Sequence, residues 1–129
     1  MDLVTVQEAK DQIRIDSDAD DSWLALWITA ISAAVVSWLK DDWRVYVLSR
    51  DEHGDLILDS NDDGIPEEDS NGLVLNPVVK AAVLVELAQQ YRFRDGSGAA
   101  AVPSHWGHGY VLGAGATSLL SGVRKTTVR

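Results

Sequence analysis

Trp23-Leu24-Ala25-Leu26-Trp27-Ile28-Thr29-Ala30-Ile31-Ser32-Ala33-Ala34-Val35-Val36-Ser37-Trp38-Leu39 decides the fold, because no charge interrupts it. At 100° per residue, Trp23, Trp27, Ala30, Ala34 and Trp38 form one stripe, and Leu24, Ile28, Ile31, Val35 and Leu39 form another beside it. The combined apolar arc covers roughly 180°, wider than one modest internal contact needs. Two readings stand level: the whole arc is core, or its aromatic edge is a subunit interface with Trp23, Trp27 and Trp38 as the candidate contact residues. The stretch approaches the length of a membrane span. Thr29, Ser32 and Ser37 interrupt it, however, and Asp20-Asp21 and Lys40-Asp41-Asp42 flank it without the basic bias that orients spans. The expectation is a packed helix outside any membrane.

Upstream, Thr5-Val6-Gln7-Glu8 is a capping box that opens a helix over residues 6–13. Ser17 or Asp18 is placed to cap the long helix, and Asp18, Asp20 and Asp21 sit where its dipole favours negative charge. Downstream, Asn76 as N-cap and Pro77 at the first helical position start a central helix that runs to about Arg94, with Gly96 as the stop. Val78, Val79, Val83, Leu84, Val85 and Leu87 leave it no continuous polar face, and Arg92 and Arg94 suit its negative end.

Between the two long helices the period changes. Arg44-Val45-Tyr46-Val47-Leu48 and Asp55-Leu56-Ile57-Leu58-Asp59 predict two short strands around Glu52-His53-Gly54. Residues 60–72 read as an acidic loop long enough to suspect mobility or function. After the central helix, residues 96–116 are rich in Gly and Ala and read as a loop or arm, followed by a short helix around 117–120 and a basic tail. No internal repeat is evident. The predicted fold class is mainly α, a small helical bundle with a short β-hairpin-like insertion and an extended C-terminal arm. It forms one domain over 1–129: N-terminal helices in 1–42, hairpin and acidic loop in 43–76, the central helix in 77–95 and the arm in 96–129.

The formal net charge is -9, and from Asp51 to Asp69 nine carboxylates stand without a Lys or Arg. Such a segment repels phosphate, so tight wrapping of nucleic acid by a basic face is not expected. There is no cysteine, which excludes disulfides, thiolate zinc sites and a cysteine nucleophile. Met1-Asp2-Leu3 lacks the basic and apolar regions of a secretory signal, and a cytosolic chain is expected. Asp59-Ser60-Asn61-Asp62-Asp63-Gly64-Ile65 matches the start of an EF-hand-type calcium loop. Asp59, Asn61, Asp63, the Ile65 carbonyl and Glu67 are its candidate ligands, but Ser70 stands where the bidentate Glu belongs. His105 and His108 lack further ligands, and Ser104 lacks a nucleophile elbow, so no catalytic constellation emerges.

Thr5-Val6-Gln7-Glu8-Ala9-Lys10, Ile13-Arg14-Ile15-Asp16 and Asp18-Ala19-Asp20-Asp21, followed by a helix with Ala30 and Val35, resemble the head-tail connector family of long-tailed bacteriophages. Asn76-Pro77-Val78-Val79-Lys80-Ala81-Ala82-Val83-Leu84 through Tyr91-Arg92-Phe93-Arg94 is similar to the family's second diagnostic helix, and Leu119-Leu120-Ser121-Gly122-Val123-Arg124 to its closing motif. The order of these pieces carries the resemblance. The acidic segment, Ser-Gly-Val-Arg where Pro-Tyr-Arg is frequent, and the small residues of 98–115 depart from the pattern. The resemblance implies a mainly helical, non-catalytic subunit without cofactors. It assembles as a ring, commonly of twelve, beneath the portal protein and extends the DNA channel toward a tail-side completion or stopper protein. Double-stranded DNA passes through without specific binding. The location implied is the virion, after assembly in the host cytoplasm. On this reading Leu119, Leu120, Arg124, Lys125 and Arg129 dock on the portal, and Asp55, Asp62, Glu67 and Glu68 line the channel. Two other classes remain open: a calcium-binding interaction module built on residues 59–70, and an acidic mimic of nucleic acid.

Overall fold

A computed structural model describes residues 1–92 and 112–124. The order is α1 (Val6–Ile13), α2 (Asp21–Leu39), a 3-10 turn (Asp42–Val45), β1 (Glu68–Asp69), β2 (Gly72–Leu73), α3 (Pro77–Arg92) and α4 (Ala114–Leu120). The protein is mainly helical, with β1 and β2 paired antiparallel as a small hairpin.

The predicted caps form. Thr5 Oγ1 accepts the Glu8 amide at 3.0 Å while a Glu8 carboxylate oxygen accepts the Thr5 amide at 3.0 Å. Asn76 Oδ1 accepts the Val78 amide at 2.9 Å, and its carbonyl accepts Val79 and Lys80. The start of α2 differs from expectation. Asp20 is the N-cap without a side-chain capping bond, and Asp18 instead pairs with Lys10. The buried ammonium outcompetes the helix amides for that carboxylate because charge-assisted bonds are the stronger kind.

The core joins the Leu24, Ile28, Ile31, Val35 and Leu39 stripe of α2 to Val79, Ala82, Val83 and Leu87 of α3, with Leu3, Val4 and Ala9 closing one side. Leu112, Ala116 and Leu120 belong to the same core. The last stretch is therefore no free arm: α4 begins at Ala114 and lies on α3. It lies so close that a Cβ at Gly115 would stand 2.9 Å from Val85 Cγ1. At Gly115, a small residue that reads as part of a flexible lead is a requirement of close helix contact. Buried Glu86 fastens the entry to α4, accepting the Gly113 amide at 2.7 Å and the Gln90 side-chain amide at 3.1 Å.

Residues 46–75 also depart from expectation. The first predicted strand starts at Tyr46, since Arg44 and Val45 lie in the 3-10 turn, and residues 60–72 are paired instead of looping freely. Two cycles of three hydrogen bonds organise the region. Val47 donates to the Val74 carbonyl at 2.8 Å, Val74 to Glu67 at 3.0 Å, and Glu67 back to Val47 at 2.8 Å. Ser49 donates to Ile65 at 2.8 Å, Ile65 to Ile57 at 3.3 Å, and Ile57 back to Ser49 at 3.1 Å. Each cycle is a three-way junction of antiparallel pairs, and the pair Leu48 and Pro66 joins the two junctions. The result is a branched ladder with three hairpin tips.

The tips are alike. Asp51 Oδ1 accepts the amides of His53 and Asp55, Asp59 Oδ1 those of Asn61 and Asp63, and Asp69 Oδ1 that of Asn71. Three residues after each Asp the backbone turns left-handed, at Gly54 (φ 83°), Asp62 (φ 61°) and Gly72 (φ 115°), a conformation open to Gly and tolerated by Asp. Asp51-Glu52-His53-Gly54, Asp59-Ser60-Asn61-Asp62 and Asp69-Ser70-Asn71-Gly72 thus form a repeat that the amino-acid letters only half display.

Candidate assembly interface

The two outer segments of the chain meet through charge. Lys10 Nζ lies 2.9 Å from Asp18 and 2.7 Å from Asp21, so one ammonium from α1 ties down the entry to α2. Lys80 of α3 reaches Glu8 of α1 at 2.6 Å, and the Tyr91 hydroxyl donates to Asp20 at 2.6 Å. The hydrogen bond that Lys10 donates to Asp21, then the one it donates to Asp18, raises its pKa. Lys10 holds the Asp18 carboxyl below its usual value, and Lys80 followed by the Thr5 amide does the same for Glu8. The acidic run before α2 is thus a three-helix fastening, whereas the sequence alone pointed to the helix dipole. The signal that could have found it is Lys10 itself, a cation on the apolar side of α1 beside Ala9.

The three tryptophans chosen from the wheel are half-buried within the chain. Trp23 stacks on Trp27 at 5.5 Å between centroids and meets the edge of Tyr91 at 5.4 Å. Arg124 covers Trp38, its guanidinium carbon 4.3 Å from the ring centroid and its Nε donating to the Trp38 carbonyl at 2.9 Å. The stripe is therefore used internally on its aromatic edge. What α2 offers outward is a different seam: Ser22, Leu26, Thr29, Ala30, Ala33 and Ser37, all exposed and uncharged, with Leu26 at 67% exposure. Sequence reasoning missed it because Ala and Ser add little to an apolar wheel. α2 is long and apolar enough to cross a membrane by length and composition alone, but its inner stripe is buried against the rest of the chain.

The C-terminal candidates divide. Leu120 is fully buried and Arg124 is spent on Trp38, so neither is a free docking group; Leu119 is exposed. Lys125 and Arg129 lie outside the described residues, as do Arg94, Ser104, His105 and His108. Arg44 pins the same end of the chain, donating to the Val123 carbonyl at 2.9 Å and to Asp41 at 3.1 Å.

Asp55, Asp62, Glu67 and Glu68 are exposed on the branched ladder. The ladder is fixed to the bundle by Trp43, whose indole N–H donates to Asp63 at 3.2 Å and whose ring lies against Gly64. A calcium-loop geometry does not form. Asp59 spends Oδ1 on the amides of Asn61 and Asp63, Asp63 faces Trp43, and Gly64 pairs across the hairpin with Leu58. Among the described residues no three His or carboxylate side chains converge as metal ligands. The spacing that imitates a calcium loop belongs to an Asx-type hairpin tip. No protein-family model, curated protein or solved structure matches the chain.

Proposed function

We propose that the chain is a structural subunit of a phage head-tail junction, assembling as a ring, of twelve by the resemblance, beneath the portal and around the path of the DNA. The observation that carries this reading is mutual packing of the segments on which the resemblance rests. Lys10, Asp18, Asp20 and Asp21 from the first segment and Lys80 and Tyr91 from the second are joined by the contacts that fasten α1, α2 and α3. Arg124 from the closing segment seals Trp38 of α2. Residues similar to a family pattern thus act as one structural unit, as a shared fold requires. The exposed carboxylates of the ladder suit a channel wall that DNA slides past, since repelled phosphates do not stick. Portal docking falls to Leu119 and to the basic residues from 125 onward. No catalytic step or cofactor belongs to this proposal.

The test is electron microscopy of the purified chain mixed with portal rings, with the portal alone as control. An added ring of density beneath the portal is the expected result. Portals that stay bare at saturating concentration of the chain count against it.

A further inference from the structure

Leu26, Ala30, Ala33, Ser37 and Lys40 follow one another at intervals of four, three, four and three residues, the spacing of a seam between two helices. All five are exposed. The seam has a knob and a seat. Leu26 is the knob, and the seat is a groove of about 570 Å³ at the other end of α2, lined by Ala33, Val36, Ser37, Trp43, Tyr46 and Met1. On a chain whose net charge is -9 this seam is neutral until it reaches Lys40, which has no ion pair among the described residues.

We infer that in the free protein a second copy of the chain covers this face, its α2 antiparallel to the first and crossing it at Ala30. One register satisfies three features together. Placing Ala30 opposite its own equivalent sets Leu26 of each copy between Ala33 and Ser37 of the other. It also brings Lys40 opposite residues 19–23, where Asp20 and Asp21 stand. There, among the described residues, Asp18 and Asp21 share the one ammonium of Lys10. Antiparallel axes also oppose the two helix dipoles favourably. A parallel arrangement matches neither the charges nor both knobs. Small side chains at the crossing permit axes about 8 Å apart.

The pairing is separate from the ring reading. A two-fold contact closes at two copies, whereas a ring needs a heterologous contact, so either holds or fails without the other. The dimer is a state of the chain before assembly.

Because the chain has no cysteine, single cysteines report the register cleanly. Ala30→Cys places two Cα atoms within disulfide reach of roughly 7 Å. Ala33→Cys separates them by about 9 Å along the axis, from three residues of 1.5 Å rise in each copy, which is too far. Sedimentation of the wild type should show a concentration-dependent dimer. Under mild oxidation Ala30→Cys should cross-link and Ala33→Cys should not. Leu26→Asp, at a site exposed enough to spare the fold, should raise the dimer dissociation constant tenfold or more, about 1.4 kcal/mol, with an unchanged circular dichroism spectrum. A wild type that stays monomeric at millimolar concentration, or equal cross-linking of the two cysteine variants, overturns the inference. So does flotation of the wild type with phosphatidylcholine vesicles while Ala30→Cys stays uncross-linked, which would assign the seam to a bilayer. Rings on the portal, read by microscopy, decide the functional proposal separately.

Discussion

Lys10 ties α1 to the entry of α2, and its pH behaviour follows from the direction of the shifts. Asp18 and Glu8 have depressed pKa values in the folded chain, so their stabilisation is present above the unfolded carboxylate range and is lost as pH falls through their folded values. Lys10 has a raised pKa, so its contribution is complete below the ordinary lysine range and is lost as pH rises through the folded value. Stability should be flat between these limits and fall beyond both. Lys10→Met should lower the urea midpoint at pH 7, and the gap to wild type should narrow as pH falls through the depressed range in which Asp18 takes up its proton. A gap independent of pH would mean that packing, and no ion pair, is what Lys10 supplies. Gly64 offers a second test, since a Cβ there would stand 2.8 Å from Trp43 Cζ3 and 3.2 Å from Leu48 Cδ1. Gly64→Ala should cost about 1–3 kcal/mol by overpacking, read as a shift in the urea midpoint. The Trp43 environment should change in the near-ultraviolet dichroism. Gly54→Ala meets no atom within 4 Å and should lose only the left-handed preference, about 1 kcal/mol.

At the scale of elements, α1 and α3 were legible because each begins with local chemistry: Thr5 with Glu8, and Asn76 with Pro77. The aromatic stripe of α2 was legible as apolar, but core and interface stood level for it, because Tyr91 and Arg124, which cover it, are distant in sequence. The ladder was harder. A strand that changes partner every second residue leaves no run of pairing for a period-two pattern to mark, so only the Asp51 hairpin showed itself. The helix at 117–120 was legible, but its start at Ala114 and its place in the core were not, because Gly and Ala carry the same letters in a flexible lead as in a tight helix crossing. Its role can be tested by truncation. Removing residues 125–129 should leave the fold intact, whereas ending the chain before Thr117 removes Leu120 from the core and should unfold it. Leu120→Ala alone should cost about 2–5 kcal/mol, measured by urea denaturation. A folded chain lacking 117–129 would show that α4 is an accessory.

At the scale of the whole molecule, charge is uneven: the nine carboxylates from Asp51 to Asp69 lie on the ladder without a Lys or Arg among them. If the ladder faces a DNA channel, replacing Asp55, Asp62, Glu67 and Glu68 by Asn or Gln should increase DNA retention by the assembled ring at low salt. The difference should shrink as salt screens it. Retention unchanged across the salt range would place the ladder elsewhere. The branching itself has a further consequence. In an ordinary hairpin, pairs fray one after another from the open end, but in a three-bond cycle each strand braces the other two. Opening any member leaves two unpaired groups at the centre. The amides of Val47, Glu67 and Val74 should therefore exchange with deuterium as one event, and those of Ser49, Ile57 and Ile65 as another. The tips at His53, Asn61 and Asn71 lie beyond the cycles, so chain lengthened there should leave both exchange rates unaltered, which makes them three ports for grafted loops.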